Sequence, residues 1–246
     1  MKKPIIRQLI KIETETIYDF KRKVIISPSV TGNSYLRFAK VEGRCGAKSQ
    51  EHTHPGDEVV LTLSGTTVNT VEGKKYQLLP QEALCVHPGQ IHTTIVTSQK
   101  PWIGVSAYCD DCSLMKGERK GKGECIKGNP TKRDLSEIES EAYYDFKRKF
   151  IFSPSVTGNR YINFAMMEGP YNSESHEQPH PGDSIFLTLS GRAEIKVGRE
   201  KYFLTPQLAI CVPPGQTHSI VAISKEPWVS IVVSCDECPL LKKKCE

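Results

Sequence analysis

The sequence predicts an all-β protein built as two tandem copies of one sandwich or jelly-roll unit, and three observations carry that expectation. The chain repeats itself at a constant offset, each copy consists of short runs separated by turn residues, and no long helical period interrupts them. Tyr18-Asp19-Phe20-Lys21-Arg22-Lys23 returns as Tyr144-Asp145-Phe146-Lys147-Arg148-Lys149, and Ser27-Pro28-Ser29-Val30-Thr31-Gly32-Asn33 returns at 153–159. His54-Pro55-Gly56-Asp57 returns at 180–183, Leu61-Thr62-Leu63-Ser64-Gly65 at 187–191, and Pro101-Trp102 as Pro227-Trp228. With no insertion between the copies, both must share one fold.

Within the first copy the elements follow in order. Residues 35–41 alternate in part, and 59–63 form a continuous apolar run that reads as a buried strand. Residues 66–71 and 75–79 flank Glu72-Gly73-Lys74, a hairpin turn by composition. Residues 83–86, 92–96 and 102–108 complete the set. Residues 116–139 are rich in Lys, Gly and Glu and almost empty of large apolar side chains. The expected organisation is therefore 1–115 for the first unit, 116–140 for a linker, 141–241 for the second unit and 242–246 for a basic tail.

One stretch carries chemistry. His52 and His54 are two apart, so on a strand both imidazoles leave the same face. Pro55-Gly56-Asp57 turns the chain, and Glu58 opens the apolar run that follows. Two imidazoles and a carboxylate gathered near a turn suit a divalent transition metal. Gly46, His52, His54, Glu58 and Gly65 fall in the register G-x5-H-x-H-x3-E-x6-G, and His87-Pro88-Gly89-Gln90-Ile91-His92 approximates P-x-G-x2-H. These two motifs resemble those of the cupin superfamily, with His87 standing where proline is usual. The resemblance covers nearly everything but the linker and the ends. It implies a bicupin of two double-stranded β-helix barrels, with His52, His54, Glu58 and His92 holding one metal in the first. The metal could be Fe, Mn, Ni, Cu or Zn. His87 reads as an exposed turn residue, or as a group behind the ligands with a positioning or acid–base role.

The second copy is chemically different. The equivalent positions read Gln178, His180, Ser184 and His218, and an amide with a hydroxyl is a poor substitute for an imidazole with a carboxylate. Gln178, His180 and His218 make a weaker second metal site at best, with His176 as a partial replacement; the expected alternative is a metal-free pocket or structural support. All seven histidines lie in these motif regions.

Other candidates lie outside the motifs. Cys109/Cys112 and Cys235/Cys238 have half-zinc-knuckle spacing, and structural zinc, a redox dithiol and inert thiols all remain open. Cys85 and Cys211 sit between apolar neighbours as small core residues. Arg37 aligns with Asn163, so only the copy with the full ligand set carries this cation, which could clamp a substrate carboxylate or stand exposed. The Asp-Phe-Lys-Arg-Lys and Ser-Pro-Ser-Val-Thr-Gly-Asn segments persist where the ligands do not, which suggests a structural task such as packing the two barrels together.

Composition narrows the function classes. The net charge of +5 is mild and is concentrated in 116–133 and 242–244, which read as solvated segments rather than a nucleic-acid surface. The N-terminal apolar run breaks at Arg7, too early for a secretory signal, and no window approaches a membrane span. A cytoplasmic protein without nucleic-acid or membrane partners is expected, with its nine cysteines reduced, a small-molecule ligand, and a homodimer as the oligomeric expectation. The resemblance implies a metal-dependent enzyme of dioxygenase, decarboxylase or isomerase type, an oxidoreductase if dioxygenase-like, acting on a small anionic molecule. The alternative is a non-catalytic small-molecule-binding or regulatory module acting through a protein partner; a storage role fits the intact ligand set poorly.

Overall fold

The computed structural model describes residues 2–109, 129–238 and 241. It is built almost wholly from antiparallel strands arranged as two barrels, each a seven-stranded sheet facing a smaller one. In the first barrel the large sheet runs Thr131–Asp134, Glu82–Val86, Glu58–Ser64, Trp102–Tyr108, Arg37–Gly43, Phe20–Ile26, Glu15–Ile17. The small sheet pairs Thr67–Val71 with Lys74–Leu78 on one side and His92–Val96 on the other. The second barrel repeats this, and Gln178–Pro179 adds a short fourth strand to its small sheet. Among the described residues no helix is long and apolar enough to cross a membrane.

The predicted strands form close to where composition places them. The run at 59–63 is continuously apolar because the strand Glu58–Ser64 is covered on both faces. Val60 lines the interior cavity, while Val59 and Leu61 join an apolar cluster that also contains Ile151, Phe164 and Ile185 of the other barrel. The two large sheets thus pack back to back. The motif glycine Gly65 has φ +73°, and a Cβ there would lie 2.7 Å from Trp102 Cα, so the turn needs glycine on both counts.

The linker expectation requires correction at its C-terminal end. Thr131–Asp134 is a strand that pairs with Glu82–Val86 of the first barrel, and Leu135 and Ile138 are buried in the shared core. Its counterpart Ile5–Gln8 pairs with Leu208–Val212 of the second barrel, not with the first. Each copy therefore gives its leading strand to the other. Short runs such as Thr-Lys-Arg-Asp carry no apolar alternation, which hides them from pattern reading. Residues 116–128 and the tail 242–246 lie outside the described residues.

The repeated Ser-Pro-Ser-Val-Thr-Gly-Asn segment is a capped helical turn. Ser27 Oγ accepts from Val30 N at 3.1 Å, Pro28 occupies the first turn, and Gly32 closes it in the left-handed region. The turn then meets the opposite barrel. Asp183 Oδ2 accepts from Asn33 Nδ2, Tyr35 N and Leu36 N at 2.9, 2.5 and 3.1 Å, and Asp57 Oδ2 accepts from Arg160 N and Tyr161 N at 2.7 and 2.5 Å. Both carboxylates are fully buried. The Asp of each His-Pro-Gly-Asp turn is thus the anchor for the other copy's Ser-Pro turn, which is why both segments survive in the copy whose ligands changed. The lysine of Asp-Phe-Lys-Arg-Lys acts similarly: Lys23 Nζ donates to Leu9 O at 2.9 Å and Lys149 Nζ to Leu135 O at 2.8 Å, each tying down a chain segment that has just left the opposite sheet.

Candidate metal centre

His52, His54, Glu58 and His92 converge: one ligand atom from each lies within 4.8 Å of all the others. They come from four local settings. Glu58 opens its strand and points inward, and His92 opens the strand His92–Val96. His52 is held opposite His92 by paired backbone bonds of 3.1 and 3.0 Å, so an isolated bridge replaces the expected strand through 52–54. His54 lies in irregular chain, where its carbonyl accepts from Gly89 N at 2.9 Å, so the second motif's turn pins the first motif's histidine.

The ring orientations are fixed from behind. His52 Nδ1 lies 2.9 Å from Gln50 O and His92 Nδ1 lies 3.0 Å from Gln90 O. Donation from Nδ1 leaves Nε2 of each ring as the lone-pair nitrogen facing the centre, as metal-binding imidazoles require. Glu58 Oε2 lies 2.8 Å from His92 Nε2 and 3.6 Å from His54 Nε2. Ligands about 2.1 Å from one ion at near-right angles stand about 3 Å apart, so this spacing fits a cation among them. His92 Nε2 is buried and makes no aligned hydrogen bond among the described residues, as a coordinating nitrogen would be left.

Electrostatics agree. Burial alone would raise Glu58, but the surrounding histidines, His54 foremost, bring it down to about 2. Burial pushes His92 down, yet the close approach and charge of the Glu58 carboxylate outweigh burial and raise it overall. Burial lowers His52. The carboxylate is charged throughout the physiological range, ready to balance a cation.

The centre lies in a cavity of about 400 Å³ lined by Ile17, Arg22, Arg37, Val60 and Tyr108 among others. Arg37 does line it: its guanidinium sits 5.4 Å from the Tyr108 ring centroid and donates to Ser29 Oγ at 3.3 Å. Sequence reasoning missed Arg22, which donates to the Tyr108 hydroxyl at 3.1 Å and to Glu15 at 2.6 Å. Its signal was present but masked: Phe20 and Arg22 are two apart on one strand and both line the cavity, yet Arg22 belongs to a segment repeated in both copies.

The second barrel does not gather its weaker ligand set. Its pocket holds only about 60 Å³ and contains, among the described residues, no group of three His, Cys or carboxylate ligands. His180 Nδ1 is 2.6 Å from Asp236 Oδ2, the His180 and His218 rings are 5.0 Å apart, and Gln178 Oε1 accepts from the Tyr144 hydroxyl at 3.4 Å. His176 does not compensate, because it stacks on Tyr144 at 4.5 Å. Tyr143, Met167 and Phe186 fill the space that Ile17, Val41 and Val60 leave open in the first barrel.

Two further expectations change. His87 is not an exposed turn residue; it is 7% exposed, lies 3.7 Å from Asp57, and stays outside the four-residue centre. Cys109, Cys235 and Cys238 are buried in the apolar cluster between the barrels, and burial pushes the Cys235 thiol well up, contrary to a reactive dithiol. No three-ligand cluster surrounds them among the described residues, so structural zinc finds no support there; Cys112 lies outside the described residues.

Comparison with known proteins agrees with this architecture. A 109-residue stretch is 30% identical to an uncharacterized protein of Streptomyces coelicolor, the match spanning 42% of this chain and 94% of that protein. The Lactobacillus farciminis oxalate decarboxylase formate complex superposes with a TM-score of 0.76 at 12% identity, covering 96% of this chain and 87% of that one. A Bacillus subtilis oxalate decarboxylase structure, from work on its Mn(II) centers, gives a TM-score of 0.75 at 12% identity, covering 94% of this chain and 77% of that one. At such identity these likenesses establish the fold. The family model described as "Cupin domain" matches residues 42–108 and 165–234, more than half of the sequence, so the chain belongs to the cupin family, with one cupin unit in each barrel.

Proposed function

We propose that the first barrel is the active site of a metal-dependent enzyme acting on a small anionic organic molecule, with the second barrel as its structural partner. The observation that carries this reading is the four-ligand cluster opening into the 400 Å³ cavity whose wall holds two guanidinium groups. Three imidazoles and one carboxylate suit a borderline divalent transition metal, and four protein ligands leave room in an octahedral set for a substrate. When bound, the metal would supply Lewis-acid polarisation or redox chemistry. Glu58 is a ligand in this scheme and not the base, because its charge is held by the three histidines.

The chain's own groups do the rest. Arg22 and Arg37 offer planar donor sets that match a carboxylate, and the ring of Tyr108 lies beside the Arg37 guanidinium. Ile17, Phe20, Val60 and Trp102 give the cavity an apolar wall that limits water around a bound anion. The structural neighbours are oxalate decarboxylases, one in a formate complex and one with Mn(II) centers, which makes oxalate and related small carboxylates the first substrates to try and manganese the first metal. Elemental analysis of untagged protein, followed by turnover assays on small mono- and dicarboxylates, tests the reading. One transition metal per chain with turnover supports it. A metal-loaded protein that holds a carboxylate tightly without converting it would replace the enzyme with a binding module.

A further inference from the structure

On the opposite side of the strand that carries Glu58, facing the other barrel, lies a second cluster that the proposed chemistry does not use. The ladder pairs Glu58 with Val86 and Val59 with Cys85, so continuing it by one residue sets Asp57 opposite His87. Cys85 and His87 are two apart and share that face. One ligand atom each from Asp57, Cys85 and His87 lies within 4.8 Å of the other two. Asp57 and Cys85 are fully buried and His87 is 7% exposed.

The polar atoms here are left over. Asp57 Oδ2 accepts from the Asn159 side-chain amide and from the Arg160 and Tyr161 backbone N–H groups, while Asp57 Oδ1 and His87 Nδ1 have no hydrogen-bond partner among the described residues. They stand 3.7 Å apart, beyond hydrogen-bonding range. Buried polar atoms of this kind are rarely abandoned beside a thiol. A separation of 3.7 Å is instead close to the edge of a tetrahedral site, since bonds of about 2.0 to 2.3 Å put neighbouring ligands about 3.3 to 3.8 Å apart.

We propose that Asp57, Cys85 and His87 form a second cation site in the seam between the barrels, taking a borderline divalent ion such as zinc. Carboxylate, thiolate and imidazole are all donors that zinc accepts, and three protein ligands leave a fourth position for water. Ion binding would displace the proton that burial otherwise keeps on Cys85. The second copy supplies an internal contrast. Asp183 and Cys211 are retained there, but Pro213 stands in place of His87, and the Ser34 N–H is shared between Asp183 Oδ1 at 3.2 Å and Oδ2 at 3.1 Å. Where the third ligand is missing, the second carboxylate oxygen shares a donor with the first; where it is present, that oxygen has no donor among the described residues. An ion here would tie the Ser-Pro turn of one copy to the core strand of the other.

The test uses the full chain, stripped with chelator and titrated with zinc and separately with cobalt(II). His87→Pro installs the residue that the second copy tolerates at this place, and Cys85→Ala removes the thiol with little change of volume. Wild type should bind one zinc equivalent more than either variant, and its cobalt form should show a thiolate-to-cobalt charge-transfer band that both variants lose. His54→Ala should lose a different equivalent and keep the band. Equal zinc stoichiometry and equal cobalt spectra in wild type, His87→Pro and Cys85→Ala would overturn the proposal, leaving a bare His–Asp contact or a bridging water. Thermal melts of both variants establish that the comparison is between folded proteins.

Discussion

At equivalent places the first barrel sets Glu58 among His52, His54 and His92, and the second sets Ser184 beside Gln178, His180 and His218. The single exchange of carboxylate for hydroxyl reverses the electrostatics of the histidine on the opposite sheet. His92 is raised because Glu58 rewards its charged form enough to overcome burial; His218, with burial and His180 against its charge, falls to about 4. Packing moves in the same direction. The second pocket is closed by Tyr143 and Phe186 and merges into one continuous apolar cluster, whereas the first is split into two smaller clusters around its polar cavity. Loss of the histidine and carboxylate and loss of space go together, so the first barrel keeps a polar cavity while the second is largely filled.

The largest effect that would break this contrast is on metal. His54→Ala should weaken binding at the first centre more than 100-fold and abolish turnover, while His180→Ala leaves both within about twofold, as read by elemental analysis and steady-state rates. Equal losses in the two variants would mean that the barrels are not specialised. Next in size is the device both barrels share. Asp183→Ala strands three buried donors, Asn33 Nδ2, Tyr35 N and Leu36 N, and should cost roughly 3 to 5 kcal/mol in denaturant unfolding. A loss below about 1 kcal/mol would show that the cross-barrel anchor is dispensable.

The pH response sharpens the comparison further. His218 has a folded-state pKa of about 4 against an ordinary 6.5, so the unfolded chain takes up its proton first. Its contribution to stability is present above pH 6.5 and is lost as pH falls toward 4, about 3 kcal/mol in all at 1.36 kcal/mol per unit. His92 in the metal-free protein runs the other way: its contribution is present below pH 6.5 and is lost as pH rises through its raised pKa. Histidine NMR titrations of metal-free protein should give opposite displacements for the two rings, and His218→Gln should flatten the acid limb of the stability profile. The smallest effect concerns the substrate. Arg37→Ala should raise KM for a small carboxylate about tenfold to hundredfold with less change in kcat, and Arg37→Lys should recover part of it. An unchanged KM would move anion recognition to Arg22.

The repeat, the strand runs, the turn residues and the four side chains that converge in the first barrel could be read directly from the chain, because each is a local matter. A Pro-Gly turn, an apolar run or a histidine two places from another histidine keeps its meaning wherever the segment lies. The exchange of Ile5–Gln8 and Thr131–Asp134 between barrels could not be read that way, nor could the burial of His87, the anchoring role of Asp57 and Asp183, or the presence of Arg22 in the cavity wall. Those depend on which strand edge meets which partner and on which side chains a back-to-back sheet packing covers. The anchoring contacts join residues more than a hundred positions apart, and only the closed tertiary structure brings them within bonding distance.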